Sequence, residues 1–141
     1  MNVQNSSYGF SRTVPLAYDD AVAATRAALA VEGFGILTEA DIRATFRAKL
    51  GIDSRPYVIL GACNPGLARQ ALDLEPQLGL LLPCNVIVYA AEAAGESVVA
   101  MMDPVAAMSL AGNPALAAFA ADVKERLERA LRVIGNATVA A

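Results

Sequence analysis

The sequence predicts an α+β fold. Helices pack on a mixed, largely antiparallel sheet of about five strands, in the order β-α-β-α-β-α-β-β-α-α. Three observations carry that reading. Runs with period-2 alternation interleave with segments of three- and four-residue apolar spacing. Asn, Asp, Pro and Gly fall between these segments as caps and stops. The last two strands follow each other across Ala94-Gly95-Glu96 with no helix between them, which marks a hairpin. The chain has 141 residues, 56% hydrophobic and 18% charged, enough for one domain with a core over residues 8–135. Residues 1–7 and 136–141 are expected to be flexible tails.

Each element has its own signal. Residues 8–14 alternate, with Tyr8, Phe10, Arg12 and Val14 on one side of a first strand. Residues 17–32 repeat Tyr18, Val22, Thr25 and Leu29 at helical spacing, and Gly33 ends that helix. Residues 33–38 form the next strand. Residues 41–50 make a short helix with Ile42, Phe46 and Leu50 on its inner side and Gly51 as its stop. Residues 56–61 read as a buried strand. Asn64-Pro65-Gly66 opens a helix to about Leu74, since Asn caps well and Pro suits the first helical position. Residues 78–91 read as a fourth strand, kinked or at an edge where Pro83 falls. Residues 97–102 complete the hairpin. Asp103-Pro104 starts a short helix to about Leu110. Asn113-Pro114 caps the last helix, residues 115–134, whose stripe is Leu116, Phe119, Val123, Leu127, Leu131 and Ile134. Glu125–Arg129 and Glu128–Arg132 are spaced for ion pairs on its outer face.

Composition excludes several chemistries. The chain has no histidine, which removes the Ser-His-Asp triad, the Cys-His dyad, the His-Glu-x-x-His zinc helix and the facial-triad iron site. The net charge of −3 argues against nucleic acid as a partner. Arg43, Arg47, Lys49 and Arg55 stand among Asp41 and Asp53 and read as a solvated face. The longest charge-free run, residues 104–121, is broken by Gly112-Asn113-Pro114, so no membrane span is expected. Two cysteines are too few for a disulfide scaffold, and residues 1–7 carry no signal-peptide pattern. A cytoplasmic location with reduced thiols is the expectation. The glycosylation patterns at Asn5 and Asn136 carry no meaning without secretion.

The most informative stretch is Gly61-Ala62-Cys63-Asn64-Pro65. It sets a thiol at a strand end, just before a helix N-terminus with free N–H groups and a positive dipole end. Such a place favours thiolate, which makes Cys63 a candidate nucleophile. The same N–H groups suit a carboxylate or other anion. Against this stands a small buried cysteine beside an ordinary helix start. Cys84 lies inside an apolar strand and reads as core. Whether it can pair with Cys63 depends on their Cα separation. Met101 and Met102 would add soft ligands to the two thiols, but packing is the favoured reading and no metal is expected. Glu39, Asp41 and Asp103 sit at element ends. They suit acid–base work, and equally the capping of the helices that follow Asp41 and Asp103. Gly33-Phe34-Gly35 follows a helix instead of opening one, so it is no dinucleotide fingerprint. No phosphate loop and no Gly-x-Ser-x-Gly elbow occurs.

At these residues the chain resembles a known family. Tyr57 to Pro65 resembles the Y-x-I-L-G-A-C-N-P segment of the domain-of-unknown-function 302 family, and Leu81 to Val86 its L-L-P-C-N-V segment. Gly33-Phe34, Thr38-Glu39 and Asp41 resemble its G-F-x-x-x-x-E-x-D stretch, and Asp103-Pro104 its D-P. The resemblance implies a compact bacterial or archaeal α+β domain that pairs as a homodimer. It implies no activity, and it brings Cys63, Asn64, Cys84, Glu39, Asp41 and Asp103 forward as signature positions only.

The expected function is therefore a homodimeric binding domain for a small anionic or partly apolar ligand near Cys63. Asn64, Glu39, Asp41 and Asp103 are its further candidate contacts, and no cofactor is expected. Two alternatives stand beside it. One is a thiol-dependent redox or sulfur-transfer enzyme with Cys63 as nucleophile. The other is a structural, partner-binding protein without a small-molecule site.

Overall fold

The computed structural model describes residues 3–136. Its strands are β1 (Gln4–Asn5), β2 (Gly9–Val14), β3 (Gly35–Asp41), β4 (Tyr57–Cys63), β5 (Cys84–Ala90) and β6 (Ser97–Met102). Its helices are α1 (Tyr18–Val31), α2 (Ile42–Leu50), α3 (Pro65–Leu74), α4 (Pro104–Ser109) and α5 (Ala117–Val133). The six strands form one sheet in the order β1-β2-β6-β5-β4-β3. Every neighbouring pair is antiparallel, so the expected parallel component is absent among the described residues.

The α+β class and the element order follow the sequence pattern. Three details differ. Gln4 and Asn5 pair with Ser11 and Phe10, which adds a short edge strand within the expected N-terminal tail. Residues 78–81 are not strand: Pro76–Leu81 is a 3-10 turn, and β5 begins only after Pro83. Proline has no N–H for a ladder, so the apolar run cannot pair through it. The Leu82–Pro83 bond is cis. Third, α2 buries none of its residues, and Leu50 is 64% exposed. Its Ile42 and Phe46 border the sheet's open side instead of entering the core.

One face of the sheet is covered by α1 and α5. Phe10, Val14, Leu60, Val86, Val88, Val99 and Met101 point there and meet Leu29, Val123, Leu127 and Leu131 in the main core. Alternate strand residues take opposite faces, which is why these positions keep one parity. The expected stripe of the last helix is buried at every position except Phe119. A smaller core of Ala71, Leu78, Met108, Leu116 and Ala120 holds α3, α4 and the start of α5 together. Arg129 ties α5 to α1 through Glu32 at 2.9 Å and meets Glu125 at 3.3 Å. Residues 137–141, part of the expected C-terminal tail, lie outside the described residues.

Candidate functional site

Cys63 is the last residue of β4, and Asn64 caps α3 by accepting a hydrogen bond from Leu67 N at 3.3 Å. The Asn64 amide also lies against Gly33. A Cβ on Gly33 would come within 2.8 Å of Asn64 Nδ2, and its φ of +86° suits glycine. The junction is thus filled by Asn64, whose side chain satisfies one of the free N–H groups at the helix start.

Burial pushes the Cys63 thiol up from its ordinary value. Desolvation disfavours the thiolate here. Cys84 is buried, and burial followed by the influence of Cys63 pushes its pKa up to about 11. The ladder sets Cys84 opposite Ala62, so Cys63 faces the other side of the sheet. Both thiols are free. The soft-ligand set is split in the same way: Met101 lies in the core with Cys84, while Met102, the next residue along, is half-buried on the opposite face.

The carboxylates do not gather around Cys63. Glu39 lies opposite Leu60, on the helix-covered face, and pairs with Arg26 of α1. Asp41 lies opposite Val58, roughly 17 Å from Cys63 at about 3.4 Å per strand residue. There it caps α2, accepting from Ala44 N at 2.9 Å. Asp103 caps α4, accepting from Val105 N at 2.9 Å and Ala106 N at 3.4 Å, and it pairs with Lys124 at 3.0 Å. It lies at the same sheet end as Cys63 but two strands away, roughly 10 Å at about 4.8 Å per strand. Among the described residues, no group of three Cys, Asp or Glu is placed to hold a metal ion.

The larger feature lies on the face that α1 and α5 leave open. A trough of about 900 Å³ runs there, between β1–β2, β5–β6 and α4. Asn85, Ile87, Tyr89 and Ala100 line its floor, with Tyr8 and Leu110 at its rim. Tyr8 is 76% exposed and Leu110 77% exposed. Among the described residues, no charged residue lines it. Asn85 is opposite Gly61, so the trough lies one strand from Cys63. At the other sheet end, Ile87 and Tyr89 also border a recess closed by α2. Burial raises the Tyr57 phenol there, helped by Tyr89 and Tyr8.

Sequence reasoning singled out none of these trough residues as a binding site. The signal was present: β4, β5 and β6 are apolar at both parities, as Ile59, Ile87 and Ala100 show beside Leu60, Val86 and Val99. Strands of that kind normally have both faces covered. Here helices cover one.

The model of the domain of unknown function DUF302 matches residues 10–134. The chain belongs to this family. The crystal structure of an uncharacterized conserved protein DUF302 from Bacillus stearothermophilus is similar, with a TM-score of 0.83 and 29% identity over 92% of this chain and 99% of that one. No curated protein matches the chain. The two DUF302 segments carried by the sequence meet in space. A Cβ on Gly61 would lie 2.1 Å from Thr38 Oγ1 and 2.6 Å from Pro83 Cγ. The glycine of the first segment lets the proline of the second close over β4. In this DUF302 chain, that contact packs the sheet beside Cys63, and neither Cys63 nor Asn64 lines the trough or the α2 recess.

Proposed function

We propose that this DUF302 protein is a homodimeric binding domain that holds a partly apolar small molecule in the trough of its open sheet face. One observation carries the reading: the second face of the sheet is apolar, concave and lined without charge. Exposed apolar surface of that kind marks a binding or association site. The exposed rim residues Tyr8 and Leu110 support pairing of two copies across the same face, which would enclose the ligand. The ligand site shifts from the Cys63 helix start to a position one strand away. The thiol-enzyme alternative draws no support from a thiol whose burial disfavours its reactive form.

Sedimentation together with Nile red fluorescence tests this reading. The native protein is expected to sediment as a dimer and to bind the neutral dye saturably. Ala100→Glu sets a charge in the trough floor and is expected to abolish dye binding in a protein that still melts cooperatively. A native protein that is monomeric and leaves the dye dark would overturn the proposal.

A further inference from the structure

We propose that the recess at the α2 end of the open face is a second binding site, which takes a flat, partly apolar carboxylate. The inference rests on the reading above in one respect: it needs that face to accept a ligand. The recess measures about 520 Å³, within the range of roughly 300–1,000 Å³ that small-molecule sites occupy. Ile42 and Phe46 of α2 form one wall, and Ile87 lies in the floor.

The floor is built for a ring. Tyr57 and Tyr89 are register partners on β4 and β5. Their rings stack with centroids 5.4 Å apart and planes 6° from parallel. Aromatic faces of this kind offer stacking to a further planar group.

The charge of the recess has one sign. Arg55 is the single charged residue in its lining. Its guanidinium lies 5.3 Å from the Tyr89 ring centroid, and Nη1 donates to Ala90 O at 3.4 Å. Among the described residues it has no ion-pair partner, whereas nearby Arg47 is held by Asp53 at 2.6 Å. A guanidinium carries five N–H donors in a fork that matches a carboxylate. One long bond to a carbonyl leaves that fork free.

Ser54 also lines the recess. A ring beside the stacked tyrosine pair, with its carboxylate on Arg55, answers both features. A second copy would not: the trough it brings to this face has no acidic residue to neutralise Arg55.

Isothermal titration calorimetry on the full chain tests the proposal with naphthalene-2-carboxylate and its neutral amide. The carboxylate is expected to bind about tenfold more tightly, as a charge-assisted hydrogen bond contributes. Arg55→Gln is expected to bring the two to within about twofold. Arg55 is exposed, so its melting temperature stays at the native value. Equal native affinities, a preference that survives Arg55→Gln, or no binding of either compound overturns the proposal. Nile red separates the two readings: a protein that binds the dye but neither naphthalene loses this site alone, and one that binds nothing loses both.

Discussion

Cys63 and Cys84 stand on opposite faces of the sheet, although their strands are hydrogen-bonded neighbours. Cys84 shares its face with Ala62, its register partner, and Cys63 is the next residue along. Geometry therefore denies them a disulfide.

Their chemistry should differ accordingly. Iodoacetamide labelling read by mass spectrometry is expected to modify Cys63 more slowly than a free thiol, and Cys84 only through unfolding. The raised pKa also sets a stability trend. A thiol pushed up in the folded state stabilises the fold below its ordinary value near 9.0, and that stability is lost as pH rises towards about 11. Urea unfolding between pH 8.5 and 11 should lose on the order of 2 kcal/mol in the native protein. A Cys84→Ala variant should start less stable and fall less.

Gly61 has no room for a side chain. Gly61→Ala is expected to cost about 2 kcal/mol, because two side chains must move. Adding Thr38→Ala should recover part of the loss, since Pro83 still lies 2.6 Å from the new methyl. Additive losses in that double-mutant cycle would show that Gly61 matters for another reason.

Asp41 and Asp103 are helix caps by their hydrogen bonds. Asp41→Ala is expected to cost about 1 kcal/mol, and Asp103→Ala slightly more because it also frees Lys124. Asp103→Asn keeps the cap and should cost under about 1 kcal/mol, the usual worth of a partly exposed ion pair. Nile red affinity should stay within twofold in all three, which thermal melts and dye titration would check together.

Arg12 is 6% exposed in the core face of β2, with Nη1 donating to Leu131 O and Nε without a partner. Burial lowers its pKa. Leu131 is in the last turn of α5, where the helix dipole favours a cation. Arg12→Met keeps the volume and ends the burial of a charge, so it should change stability by less than about 1 kcal/mol. Arg12→Ala leaves a cavity and should cost about 3 kcal/mol. Urea midpoints of the two variants decide between packing and charge as the role of this side chain.

Much of the fold was legible because its signals are local. Asn64-Pro65, Asp41 and Asp103-Pro104 announce helix starts through hydrogen bonds that reach two or three residues. The stripe from Leu116 to Ile134 announces α5 by its spacing alone. The errors arose where a local pattern had two readings. Residues 78–81 are apolar enough for a strand, but Leu78 is used in the smaller core and Pro83 stops the ladder. Phe46 has the spacing of an inner helix face, yet its helix flanks the open side of the sheet. For the site, periodicity ranked Cys63 by its place before a helix. It carried no information on the packing that raises its pKa.

The amino-acid order was enough for the α+β class, the succession of elements and their caps, all set by interactions a few residues long. Strand neighbourhood was not contained there. Phe10 meets Met101, and Tyr57 meets Tyr89, across stretches whose closure depends on the packing of the whole chain. That packing separates the two cysteines, spends the candidate carboxylates on caps and ion pairs, and leaves one apolar sheet face uncovered. Burial and facing are sums over distant segments, and no short window of sequence holds them.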